Sequence, residues 1–174
     1  MAGVPIHMKP VTAHIRAHPK LAFQVVMGFA SAQNEPDSPK VLRQKNGRLL
    51  VEFQTPIHVG FGVTKTFRTT EWVTPHEPER IDFELAREPG RPAGGMDLLQ
   101  DRFTFEERDG CTDFRYDSAF AIRWSILGWL LAKLWAERAL GRHMRSHTES
   151  LKAMIEERAR RSRVFSQTCQ HGEE

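Results

Sequence analysis

The sequence is poor in the residues that staple or metallate a small domain. Its two cysteines, Cys111 beside a turn glycine and Cys169 in a polar tail, have neither metal-ligand spacing nor the density of a disulfide scaffold. Both read as free thiols. A long apolar run is also missing. The opening MAGVPIHMKP lacks the apolar stretch that secretion requires, and the apolar segment from Ile126 to Leu131 falls far short of the roughly 20 residues that span a bilayer. A soluble, cytoplasmic protein is expected. No GxSxG elbow, P-loop or GxGxxG occurs, and the glycines between Gly90 and Gly95 have no helix behind them, so nucleophile-elbow hydrolases and nucleotide-phosphate binders are not indicated. A large excess of charge of one sign is missing as well. The formal net charge is +3 over 174 residues, and the arginines that raise the pI gather at Arg158, Arg160, Arg161 and Arg163. That cluster reads as a solvated helix end, and no nucleic-acid partner is expected.

What is present is organised around the stretch from Trp124 to about Arg161, which holds no proline and only two glycines. Leu127, Leu130, Leu131, Leu134, Met144, Leu151, Met154 and Ile155 recur at three- and four-residue steps, with charged residues mostly between them. One amphipathic helix follows, with Gly141 the place where a bend or close packing is expected. No second helix of this length exists, so its apolar face requires a sheet. With 40% hydrophobic residues the chain suffices for one core, and a single domain over residues 4–162 with a polar, disordered tail over 163–174 is expected.

The remainder reads as strands. Residues from Ile6 to Arg16 suit a first strand, with Pro10 at an edge or at its start. His18-Pro19 opens a short helix, and the polar segment from Ser31 to Pro39 reads as a connector. Asn46-Gly47 between KVLRQK and RLLVEFQ is a hairpin signature. Further strands are expected from Val63 to Val73, from Ile81 to Leu85, from Met96 to Glu107 and from Thr112 to Arg123, turned by PHEP at Pro75 to Pro78, by the loop EPGRPAGG and by Asp109-Gly110. Five or six consecutive hairpin-linked strands make a curved antiparallel sheet, and wrapping it round the long helix buries both apolar faces.

This order of elements resembles the polyketide cyclase/dehydrase branch of the SRPBCC superfamily, the START-like or helix-grip fold. The similarity is carried by the opening strand with its proline-started helix, by Asp101-Arg102-Phe103-Thr104-Phe105 before a glycine turn, and by the terminal helix ending in SLKAMIEE. It covers about Val4 to Arg161. The resemblance implies an α+β fold, a curved antiparallel sheet wrapped around a C-terminal α-helix with a cavity between them, and it brings no catalytic signature. The segment from Ser31 to Pro39 is polar where relatives often carry aromatics.

On the inward faces so defined, Phe83, Phe103, Tyr116, Phe120, Leu134 and Met144 are expected to line the cavity. Core filling is the simpler reading of each, because periodicity does not distinguish a packed core from a lined one. Asp101, Tyr116 and His143 are the polar residues with the best claim to face inward and are the catalytic candidates. Asp101 with Tyr116 has the makings of an acid–base pair, set against a salt bridge from Asp101 to Arg115 or Arg123. His143 and His147 share a helix face four residues apart without a zinc-protease glutamate, and His58 sits in a glycine-flanked segment. No metal and no cofactor are expected. The residues support binding of a hydrophobic small molecule, whether lipid, quinone or polyketide-like. The alternatives are a cyclase or dehydrase enzyme and an interaction module docking on a membrane or a larger assembly through Trp129, Trp135 and the basic end.

Overall fold

The computed structural model describes residues 4–31, 39–60, 63–93, 95–122, 126–162 and 169, with backbone only at 29–31, 57–60, 63, 65, 122 and 126–137. The element order is β1 (Ile6–His7), β2 (Val11–Ile15), α1 (Pro19–Ser31), β3 (Lys40–Lys45), β4 (Arg48–Gly60), β5 (Val63–His76), β6 (Arg80–Leu85), β7 (Met96–Arg108), β8 (Cys111–Ile122) and α2 (Ile126–Arg161). All eight strands form one antiparallel sheet in the order β1-β8-β7-β6-β5-β4-β3, with β2 also on β8. Six consecutive strands, β3 to β8, pair as neighbours in chain order, as hairpin-linked strands do.

The turns follow local chemistry. Asn46 and Gly47 take positive φ, 51° and 75°, as a two-residue hairpin with right-handed strand twist requires. Asp109 and Gly110 repeat the arrangement at 52° and 76°. Pro19 starts α1, where a missing N–H costs nothing, and the His18 carbonyl accepts from Leu21 and Ala22 at 2.9 and 3.1 Å. The expected first strand is broken in two. Pro10 lacks the N–H needed to continue the ladder, so β1 and β2 pair separately along β8 on either side of it. The segment EPGRPAGG lies over β5: the Thr70 N–H donates to the Pro92 carbonyl at 2.8 Å, and Thr69 bridges Ala93. The connector expected over Ser31 to Pro39 lies almost entirely outside the described residues.

Alternation separates the two sheet faces. On the inner face Val51, Val73, Ile81, Phe83, Phe103, Phe105, Phe114, Tyr116 and Phe120 join Phe23 and Val26 of α1 and Met144, Leu151, Ile155 and Ala159 of α2 in one buried core. Phe103 is its hub, with ring centroids 5.0 Å from Phe83, 5.3 Å from Phe114 and 4.7 Å from Tyr116. The outer face is ionic. Arg102 and Arg80 meet Asp82, Arg115 meets Asp117, and Arg43 and Arg48 both lie over the Trp72 ring. At the end of α2, Arg160 and Arg161 converge on Glu157 and hold its carboxyl below the usual range, which accounts for part of the basic run as a solvated helix end.

The cysteines are not free thiols. Cys111 and Cys169 form a disulfide with Cα atoms 4.7 Å apart, joining the start of β8 to the tail. Spacing gave no hint of this, because a pair 58 residues apart is brought together only by the return of α2 across the sheet. No helix among the described residues is long and apolar enough to cross a membrane.

Candidate ligand cavity

The inward stripe of α2 contains more than apolar side chains. Leu140, Met144, Leu151, Ile155 and Ala159 contact the core, and between Met144 and Leu151 the same stripe carries His147 and the buried Thr148. With His143 one turn earlier, two imidazoles replace aliphatic side chains where the helix crosses the sheet. They stand against a cavity of about 290 Å³, lined by Val26 of α1, Pro39, residues 53–56 of β4, Glu71 of β5, Phe83 of β6, Asp101 and Phe103 of β7, Tyr116 of β8, and His143, His147 and Leu151 of α2. A smaller lobe of about 110 Å³ shares Thr55, Glu71, Asp101, Tyr116 and His143 with it and adds Phe120 and Met144.

The acidic groups arrive by strand phase. Asp101 alternates inward with Leu99, Phe103 and Phe105, and its register partner across the ladder is Ser118. The Tyr116 hydroxyl donates to Asp101 Oδ2 at 3.2 Å. Oδ1 is buried and accepts no hydrogen bond among the described residues. Burial pushes the carboxyl up to about 6, against the downward pull of the Ser118 and Tyr116 hydroxyls. The Tyr116 phenol is driven well above its ordinary value, first by burial and then by the neighbouring Asp101 charge. Glu71, in phase with Thr69 and Val73, is 6% exposed and accepts a hydrogen bond from the Thr69 hydroxyl. Burial pushes it up to about 7, the Thr69 hydroxyl opposes, and the Asp101 charge adds to the rise.

The histidines are shifted the other way. Burial lowers His143, and burial with the charge of His143 lowers His147 to about 4, so at neutral pH both are uncharged imidazoles. Their rings stack with centroids 6.2 Å apart and planes within 11°, and His147 lies 6.2 Å from Phe103. The site therefore holds two carboxyls that titrate near neutrality, a phenol and two neutral imidazoles on aromatic walls. Such a set can donate or accept a proton, or orient a polar group on a bound ring.

Of the residues singled out in the sequence, Asp101, Tyr116, His143, Phe83 and Phe103 border the larger space, and Phe120 and Met144 the lobe. The side chains of Leu134 and His58 lie outside those described, as do Trp129 and Trp135. The salt bridge weighed for Asp101 does not form with Arg115, which points to the outer face and grips Asp117 at 2.7 Å. Arg123 lies outside the described residues. Sequence reasoning missed Glu71. The signal for it was faint: one acid on a threonine-rich strand in phase with Val73.

A curved antiparallel sheet gripping a long C-terminal helix over a cavity is the START-like, helix-grip fold, an α+β architecture shared with polyketide cyclases. Among solved structures, the chain is similar to the ZhuI aromatase/cyclase from Streptomyces sp. R1128, with TM-score 0.70, 14% identity, and coverage of 92% of this chain and 98% of that one. A START superfamily protein from Mycobacterium smegmatis aligns with TM-score 0.57 and 18% identity over 87% of this chain and 99% of that one. The di-domain aromatase/cyclase StfQ of the steffimycin biosynthetic pathway aligns with TM-score 0.68 and 13% identity over 90% of this chain and 52% of its own. No protein-family model and no curated protein sequence matches the chain.

Proposed function

We propose that the protein binds a small molecule with an apolar, ring-like body in the cavity between the sheet and α2. The observation that carries this is the cavity itself, a space of about 290 Å³ left inside an aromatic core where Phe83, Phe103 and Tyr116 meet the helix. Its size is at the lower edge of small-ligand sites, which suits two or three fused rings better than a long acyl chain. The test is titration with N-phenyl-1-naphthylamine, a neutral dye that brightens in apolar surroundings. The parent should bind it, and Val26→Trp, which fills the space from α1, should bind it at least about tenfold more weakly while keeping the parent circular dichroism. Equal binding by both would remove the cavity from the account.

The second reading is acid–base catalysis of the cyclase or dehydrase type. What favours it is that Glu71, Asp101, Tyr116 and His143 all border the space shared by the two lobes. The likeness to aromatase/cyclases supports the fold of such an enzyme and does not extend to its substrate. With a substrate in hand, Asp101→Asn should lower turnover about 10²- to 10⁴-fold in an enzyme, and in a carrier should weaken only affinity, by the worth of about one hydrogen bond. The docking-module reading rests on tryptophans whose side chains lie outside those described. We also propose a cytoplasmic setting. There Cys111 and Cys169 would be thiols, so thiol titration of protein from intact cells tests it.

A further inference from the structure

We propose that the cavity selects an organic cation, a small ring-bearing molecule with a protonated amine, held by the Glu71 and Asp101 carboxylates against the aromatic faces of Phe83, Phe103 and Tyr116. The inference rests on the small-molecule reading of the cavity and names the ligand's chemistry.

Charge accounting leads to it. Two carboxyls from adjoining regions of the sheet, on β5 and β7, converge on one buried space, and the Asp101 charge is felt at Glu71. Buried charges in proteins are paired, because an isolated carboxylate in an apolar setting is costly. The groups given to these two are all neutral: the hydroxyls of Thr69, Ser118 and Tyr116. Among the described residues, no lysine or arginine lines either lobe. The ion-paired arginines are engaged elsewhere, with Glu88, Glu84, Asp82, Asp113, Asp117 and Glu157. Among the described residues, the titratable groups that α2 brings to the cavity are His143 and His147, which burial keeps neutral, and β4 and α1 bring none. One carboxylate oxygen, Asp101 Oδ1, is buried without a hydrogen bond among the described residues.

A ligand ammonium supplies what this set lacks. It gives charge-assisted hydrogen bonds to both acids, and the ring faces beside them attract a cation through their quadrupoles. A carboxylate ligand, such as a fatty acid, meets two like charges and no counter-ion. A neutral alcohol gains ordinary hydrogen bonds only.

Three probes sharing one ring system separate these cases: 1-naphthylmethylamine, 1-naphthalenemethanol and 1-naphthoate, titrated calorimetrically into the unmodified protein. The ammonium should bind about tenfold or more tighter than the alcohol, the difference between a charge-assisted and a neutral hydrogen bond, and the naphthoate should bind weakest. The ammonium's affinity should rise from about pH 5 to about pH 8 as Asp101 and Glu71, at about 6 and about 7, lose their protons, while the alcohol's does not. Glu71→Gln and Asp101→Asn should each weaken the ammonium more than the alcohol, narrowing the gap between the two, and a gap left unchanged in both variants would overturn the cation. Alcohol binding as tight as ammonium, or naphthoate tightest, would overturn the cation and leave the cavity standing. Binding of none of the three would overturn the cavity and the cation together.

Discussion

Burial draws Glu71 and Asp101 toward their protonated forms, to about 7 and about 6 from ordinary values of 4.5 and 3.8. In the folded chain they therefore hold protons that the unfolded chain has released between about pH 4 and about pH 7. The stability they contribute is fully present below that window and is lost as pH rises through it. His147 works against them: lowered to about 4 from 6.5, it stays neutral when folded, so its contribution grows as pH rises over that range. A substitution isolates one side of this balance. Glu71→Gln, which keeps an oxygen for the Thr69 hydroxyl, should raise stability at pH 8 relative to pH 5 by on the order of 2 to 3 kcal/mol over the parent's own change. Urea midpoints at the two pH values check it, and an equal effect at both would mean that Glu71 is an ordinary solvated acid. At this scale the site was only partly legible. Asp101 and Tyr116 were visible because strand alternation carries them inward with Phe103 and Phe105. His147 was visible as the helix-face neighbour of His143, and the gap from Met144 to Leu151 in the apolar stripe marks where it sits. Glu71 was hidden by its threonine neighbours, which fit either sheet face.

Hairpins and helices were the most readable elements because their signals are local. Asn46-Gly47 encodes the positive φ its turn needs, and His18-Pro19 encodes the start of α1. The division of the first strand into β1 and β2 was less visible, since Pro10 is compatible with a strand start as well as a break. The Cys111–Cys169 disulfide was not visible at all, because it depends on where α2 returns the chain. Gly141, in the middle of α2, has a testable place in this account. A methyl group there would come within ordinary contact of Arg145 Nη1 at 3.7 Å and Met8 Cε at 3.9 Å, without a clash. Gly141→Ala should therefore stabilise the protein by about 0.5 to 1 kcal/mol through helix propensity alone. Thermal or urea unfolding measures it. A loss of stability would mean that α2 and the segment after β1 pack more closely at Met8 than the structure places them.

Over the whole molecule, the architecture follows from two surfaces that each need cover: a six-strand meander with one apolar face, and a 36-residue helix with one apolar stripe. That much was readable, since periods of 2 and 3.6 residues identify which faces meet. Whether they meet without a gap was not, because the same alternation of phenylalanines serves a filled core and a lined cavity. The gap arises where the stripe of α2 turns polar at His143 and His147 and the sheet opposite supplies Glu71 and Asp101. Polar groups of that number inside a core call for a ligand or for each other. Native mass spectrometry of the protein purified without denaturation tests this most directly. The account predicts a single adduct of small-molecule mass that survives gentle desolvation and is missing from Val26→Trp. The bare polypeptide mass for both proteins, with N-phenyl-1-naphthylamine failing to produce a one-to-one complex in the same spectra, would contradict it.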